Sequence, residues 1–439
     1  MNDIAEVINK KFELLISKNR KSCQNLTPLY LLEDLTDTTK NVKGSLLSAQ
    51  LSEPGNGVKI FAGELNDQDV IVKIFRLNIQ ERTYTSFVPR KLKVVIADSQ
   101  PQLSQYAIDY LVQFNKSEGV NDILTSGTSY YTFPVADCYL INDKVIPIKT
   151  KPYKPYTIPK GGYFCLLQHF TEYVLGMIAS YLLEEQICAN FTRVYDYESC
   201  ISEDKTRVND FIIMEQCDLA ILSMGRCLDK FSNNKQDILD NIFIQILFAI
   251  ACLQKLKIVH NDLHSGNIML RLTGKDDAPV MFKGRKLNDA KYFRYRLGNG
   301  KDIIIRNIGF IVKIIDWDYA VKWSEPMVMN KKASDNIDDK IHIPHWYSTE
   351  YDMLTVAHWM HRKFQYQAAE KIMRLCLGDY PLEKYEGMYY RPMLQNLKPE
   401  GHGLTPADIL LDKNIFGKYQ MTMKEDNYVN VATIGDTTD

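Results

Sequence analysis

His260-Asn261-Asp262-Leu263-His264-Ser265-Gly266-Asn267, with Ile314-Ile315-Asp316-Trp317-Asp318 further on, decides how this chain is read. An Asp, an Asn five residues later, and then an Asp closing an apolar strand form the set that phosphoryl transfer requires. The first carboxylate accepts or orients the proton of an attacking hydroxyl, while the Asn and the second Asp hold Mg²⁺ on nucleotide phosphates. The flanks agree. Leu247 to Leu256 reads as the end of an apolar helix, Ile258-Val259 leads into the loop, and Ile268-Met269-Leu270 leaves it as a strand. Taken alone, a loop of His, Asn, Asp and Ser between apolar segments is usually a solvated turn. Both halves together, in order, favour the chemical reading.

That chemistry needs a phosphate-binding lysine upstream. Val70-Ile71-Val72-Lys73-Ile74-Phe75 is a short β-branched run with one Lys set into it. Before it stand Gly55-Asn56-Gly57, the alternating Val58 to Gly63, and the turn Asn66 to Asp69, which together read as a phosphate-covering hairpin. Gly55 and Gly57 do not complete G-x-G-x-x-G, and Pro54 stands beside them, so the phosphate grip is eroded. Leu166 to Cys188 reads as a long amphipathic helix, the natural place for a glutamate that pairs Lys73. Glu172, Glu184 and Glu185 compete for that role, or serve as solvated helix-face charges. Asp210 to Leu219 reads as an apolar strand running into a short linker.

With these residues in hand, the chain resembles the divergent serine/threonine-kinase-like proteins of large nucleocytoplasmic DNA viruses, over about residues 50 to 415. The resemblance rests on Lys73, the helix with Phe170-Thr171-Glu172, and Ala189-Asn190-Phe191. It rests also on the His260 to Asn267 loop and the hairpin from Tyr295 through Phe310 to Asp316. Tyr351-Asp352 resembles the start of the helix whose Asp braces the catalytic loop. Thr405-Pro406-Ala407-Asp408 resembles the closing helix, with a sound N-terminal cap. The resemblance implies an α+β, bilobal protein-kinase-like fold with ATP and Mg²⁺ as cofactors. It implies catalytic roles for Asp262, Lys73, Glu172 and His264, and metal binding by Asn267 and Asp316. The nucleotide would meet Gly55, Gly57 and Lys73, with Met214 as gatekeeper and Glu215 to Cys217 facing adenine.

The departures also carry information. Asn261 replaces the Arg that usually receives an activation-loop phosphate, so no such switch is expected. His264 replaces a Lys, and Trp317-Asp318 replaces Phe-Gly with no Ala-Pro-Glu following. Asp318 either supplements Asp316 on the metal or caps a turn. These features make a small-molecule kinase of the choline or aminoglycoside type the runner-up, and a pseudokinase scaffold the third reading.

Composition sets the outer limits. The 439 residues are 45% hydrophobic and 24% charged, enough for a two-lobed core. A net charge of −1 gives no case for bulk attraction to nucleic acid or membrane. The longest apolar run, Ile242 to Leu253, falls short of the ~20 residues of a bilayer span and is interrupted by Gln245. Met1 to Arg20 lacks a secretory pattern. The nine dispersed Cys, without C-x-x-C, suit a reducing cytoplasm (the host's, or the virion, if the source is viral). His342/His345 and His358/His361 make poor zinc pairs without nearby Cys.

The organisation predicted is an extension over 1–45, helical then polar, and an N-lobe over 46–217 with an insertion at about 77–163. A C-lobe follows over 218–416, with an insertion at about 272–307, and then a mobile tail over 417–439. The expected activity is transfer of the γ-phosphoryl of ATP to a protein Ser or Thr. Substrate identity, activator and oligomeric state are not legible in the sequence.

Overall fold

The computed structural model describes residues 27–28, 47–50, 58–65, 68–78, 85–88, 131–133, 136–141, 144–147, 156–157, 163–166, 168–201, 207–224, 234–274, 280–298, 301–324, 327–330, 333, 347–377, 403–420 and 428–434. It is of mixed α+β class, with small sheets and helices sharing one main core.

Residues 58–78 form an antiparallel hairpin, Val58–Leu65 against Gln68–Asn78, inside a six-stranded sheet. The neighbours of this hairpin are Leu47–Gln50 on one side and Arg207–Glu215, Val194–Ile201 and Thr27–Pro28 on the other. Side chains alternate across the strands. Phe61, Val70, Val72, Ile74, Phe211 and Ile213 cluster on one face, and Phe75, Val194, Ile212 and Met214 on the other. Lys73 pairs across to Ile212 and so shares the second face, which helix Gln168–Glu184 covers through Tyr173 and Met177. That face decides where its ammonium goes.

Two features of this helix differ from expectation. It begins at Gln168, because Tyr163–Leu166 is a strand paired with Thr85–Val88 and Met327–Asn330. It is also not amphipathic: Phe170, Val174, Leu175, Ile178, Ala179 and Leu182 are buried, and so are Thr171, Glu172 and Ser180. The helix is covered on several sides, and its polar residues are interior groups. It ends at Glu184, and Gln186 takes a left-handed φ of 58°.

Helix Lys235–Lys255 is the axis of the main core, buried without a break from Leu239 to Leu253. With 21 residues it is long and apolar enough to cross a bilayer, a test that its central run alone had failed. Yet 83% of its apolar window is buried within the fold. Gln245, which had looked like an interruption, is fully buried and used. Its Oε1 accepts from Asn190 Nδ2 (3.1 Å) and Val312 N (2.8 Å), and its Nε2 donates to Asn241 Oδ1 (2.9 Å).

Within 272–307, Tyr292–Gly298 pairs antiparallel with Lys301–Arg306. A third strand corrects the expectation of a mobile tail. Tyr428–Thr433 lies parallel to Tyr292–Gly298, with Val429, Val431, Ala432 and Ile434 buried. Val431 O accepts from Ala189 N (2.8 Å) and Thr433 N donates to Ile187 O (2.9 Å). The tail therefore clamps the residues that follow the Glu172 helix. Within 77–163, strands Tyr131–Phe133, Ala136–Ile141, Lys144–Pro147 and Tyr156–Thr157 make a separate four-stranded sheet.

Candidate functional site

Strand Ile268–Leu272 pairs antiparallel with Phe310–Ile314, with Ile268 opposite Ile314. Ile315 N donates to Asn267 O (3.1 Å), so Asn267 and Asp316 emerge from adjacent strand ends. Asn267 Nδ2 donates to Asp262 O (2.8 Å) and Asp262 Oδ2 (3.3 Å). This closes the loop from Asp262 to Asn267 and leaves the Asn267 amide oxygen available to a cation.

The loop is braced from below. Asp352, in the first turn of helix Tyr351–Phe364, accepts from His260 N (2.7 Å) and Asn261 N (2.8 Å). Burial pushes its carboxyl up to about 6, against the pull of those two N–H groups. Trp359 Nε1 donates to Leu263 O (2.8 Å). His260 is wholly buried, and burial lowers its pKa to about 4, so the ring is neutral. Its Nδ1 lies 3.4 Å from Asp262 N as acceptor, and Nε2–H then donates to Ile315 O (3.0 Å). Trp317 packs on the same ring at 4.9 Å.

Asn261 and Asp316 both sit at positive φ, 65° and 68°. Left-handed backbone costs a non-glycine residue about 1 kcal/mol or more, and such strain gathers at functional sites. Asn261 is held by Asp352 and by its own Nδ2 on Tyr319 O (2.9 Å).

On the sheet side, Lys73 donates to Glu172 in a buried ion pair, and its Nζ lies 3.3 Å from Asp316 Oδ1. Glu184 instead approaches Arg193 (3.8 Å), and Glu185 bonds Tyr181. Burial opposes both charges of the pair. For Lys73 the carboxylates of Glu172, Asp316 and Asp318 outweigh it and hold the ammonium's pKa above its ordinary value. For Glu172 burial wins, helped by Asp316 and Asp318, and its carboxyl is raised. Oxygens of Glu172, Asp316 and Asp318 all lie within 4.8 Å of one another. The hard oxygens of this set could hold a divalent cation of the Mg²⁺ kind. Among the described residues no His or Cys joins such a cluster.

His264 caps the short turn Ser265–Asn267 by accepting from Gly266 N at Nδ1 (2.9 Å). A side chain at 266 would meet that ring at 2.7 Å and displace it from its capping position. Its Nε2 lies 3.6 Å from Asp262 Oδ2, and burial lowers its pKa.

Of the three linker residues expected to face a base, two are largely engaged. Glu215 N donates to Arg193 O (2.8 Å) and Gln216 N to Asp69 O (3.3 Å), while Gln216 O accepts from Arg271 (2.9 Å). Cys217 keeps both backbone groups without a partner among the described residues. The Glu215 side chain turns inward to buried Lys313 (3.3 Å), whose Nζ also donates to Phe191 O (2.8 Å). Sequence reasoning missed this pair; a Lys inside the apolar run Phe310 to Ile315 was the available signal. It also missed the buried His169–Asp210 pair (2.7 Å) three residues before Glu172. Met214 is buried on the Lys73 face. Gly55 and Gly57 lie outside the described residues, as do His342, His345 and Ser334. Three other hydroxyls of the segment after Asp316 serve the backbone: Ser324 on Leu256 O, Thr349 on Leu404 O, and Ser348 as acceptor from Glu350 N and Tyr351 N.

A scan against protein-family models finds no match for this chain, and a search of the curated proteins finds none either.

Proposed function

We propose that this chain is a Mg²⁺/ATP-dependent phosphotransferase with a bilobal protein-kinase-like arrangement, acting on protein Ser or Thr hydroxyls. The observation that carries the reading is the Lys73 ammonium held between Glu172 and Asp316, from three distant parts of the chain. In this reading the six-stranded sheet and the Glu172 helix form the smaller lobe, and the core around Lys235–Lys255 the larger.

Each residue then has a task. Lys73, oriented by Glu172, holds the α- and β-phosphates. Asn267 and Asp316 would hold Mg²⁺, which offsets phosphate charge when bound. Asp262 accepts the proton of the attacking hydroxyl, and its carboxylate is aimed by Asn267 Nδ2. His264 stands beside Asp262, near the position of the transferring group. Cys217 offers adenine one N–H and one C=O, and Met214 backs the base.

A second reading is favoured by one observation: Asp318 shares the acidic cluster with Asp316. Two metal-facing carboxylates one residue apart suit a small-molecule kinase of the choline or aminoglycoside type.

The test is transfer of label from γ-labelled ATP to a panel of generic proteins, choline and aminoglycosides, with Lys73→Met as the blank. Label on protein Ser or Thr, lost in that variant, supports the first reading. Label on the small molecules alone selects the second. ATP binding without transfer to anything leaves a scaffold.

A further inference from the structure

His169 stands in the first turn of helix Gln168–Glu184, three residues before Glu172. Its Nε2 lies 2.7 Å from Asp210 Oδ2, both side chains are buried, and its ring packs on Phe75 at 5.2 Å. Asp210 belongs to strand Arg207–Glu215, directly opposite Phe75 and two positions from Ile212, which faces Lys73. His169 and Glu172 are about 4.5 Å apart along the helix axis and share a face. Phe75 and Lys73 are about 6.6 Å apart along their strand and also share a face. Two ionisable contacts thus run side by side between helix and sheet: His169 to Asp210, and Glu172 to Lys73.

The helix is fastened to the same sheet further on, where Val194 N donates to Ser180 Oγ (3.2 Å). Between the two fastenings it comes in close: a Cβ at Gly176 would lie 3.0 Å from Val194 and 3.4 Å from Trp317. Glu172 lies eight residues before Ser180 but only three after His169, near the end of the helix, where fraying begins. No acidic residue stands in the helix's own first turn. Asp210 supplies from the sheet the negative charge that a helix N-terminus favours. A buried pair of this kind adds little stability over apolar side chains of the same volume, and its better-attested use is to fix one arrangement.

We propose that His169 and Asp210 are positioning residues: their contact sets the seat of the helix's first turn on the sheet and thereby holds Glu172 against Lys73. Apolar packing through Tyr173 and Met177 is non-directional and lets a helix turn or slide, whereas a charge-assisted contact fixes distance and direction. Its bearing on nucleotide rests on the phosphotransfer reading, but the arrangement itself needs no ATP.

The test is carbodiimide coupling on the full chain without ATP, followed by mass spectrometry of its peptides. The reagent activates a carboxylate, and an amine in contact with it converts the adduct to an amide. Lys73 of the wild type should give two amides, one with Glu172 and one with Asp316. In His169→Leu with Asp210→Leu the Glu172 amide should fall at least about tenfold relative to the Asp316 amide, the population change that losing one charge-assisted contact allows. His169→Gln keeps a nitrogen at the same reach and should keep the wild-type ratio. Should the double variant fail to fold, His169→Phe, which preserves a ring against Phe75, is read in the same way. An unchanged ratio, an equal loss of both amides, or a loss in His169→Gln as large as in the leucine variant overturns the proposal. So does a wild type that yields no Glu172 amide. The ratio is read without nucleotide, so a failure of the phosphotransfer reading leaves it intact.

Discussion

Lys73 and Asp316 lie 243 positions apart in the chain, and their charged atoms stand 3.3 Å apart in the fold. Glu172 completes the contact from a third region. No local rule assembles such a triad. It depends on a sheet face that aims Lys73 at a buried helix and on a strand end that delivers Asp316.

The carboxylate of Asp262 is held by Asn267 Nδ2, so Asp262→Asn changes chemistry more than shape. Phosphotransfer should fall by at least ~10²-fold, the scale of losing a positioned base. Thermal stability should hardly move. Near-normal turnover in this variant would remove Asp262 from the mechanism.

Asp316→Ala should abolish Mg²⁺-dependent ATP binding measured by calorimetry. Asp318 shares the cluster, whereas Asp316 lies 3.3 Å from Lys73, and Asp318→Ala should weaken binding by about tenfold. Equal losses would mean both carboxylates ligate, and would shift the substrate search to small molecules.

His260 has its pKa lowered to about 4 by burial, below the ordinary 6.5. A depressed folded pKa means stability present above pH 6.5 and lost as pH falls toward 4, by about 3 kcal/mol for this group. Asp352, raised from 3.8 to about 6, has the opposite slope: its contribution is present below 3.8 and lost as pH rises through 6. The clean measurement is therefore the difference between wild type and His260→Gln in denaturant midpoints from pH 7 to 4. That difference should shrink on acidification, and a constant gap would contradict a buried neutral imidazole.

Gln245→Leu keeps the apolar character of its helix but strands buried Val312 N and one N–H of Asn190 Nδ2, whose other N–H stays on Val312 O (2.9 Å). Unsatisfied buried donors should cost about 3 kcal/mol in chemical denaturation. A neutral result would mean the network relaxes onto water or other partners.

Val431 is fully buried in the tail strand, and its carbonyl holds Ala189. Val431→Asp should destabilise the fold by more than about 3 kcal/mol, since it would put a carboxylate at a fully buried apolar position. Tm by calorimetry checks it, and an unchanged value would return the tail to the mobile status expected from its sequence.

Much of the site was legible because its residues sit in strongly patterned surroundings. Asp262, Asn267 and Asp316 lie between apolar runs, and Lys73 interrupts a β-branched one, so period and spacing were enough to find them. Choosing Glu172 over Glu184 and Glu185 needed resemblance, because nothing in the helix pattern distinguishes an interior glutamate from a surface one. The tail strand escaped because Val429 and Val431 give too short an alternation, with a partner more than a hundred residues away. The inward turn of Glu215 escaped for a related reason. A linker glutamate reads as solvated until a buried lysine, Lys313, is placed beneath it.

The tail strand also bears on the order in which a working molecule can appear. Tyr428–Thr433 is translated after every other described element, yet it holds the residues just beyond the Glu172 helix. A nascent chain paused before Tyr428 would carry Lys73, Asp262 and Asp316 with that helix unfastened at its far end. On the proposed reading, removing the chain from Tyr428 onward should lower phosphotransfer although Lys73, Asp262 and Asp316 are all retained.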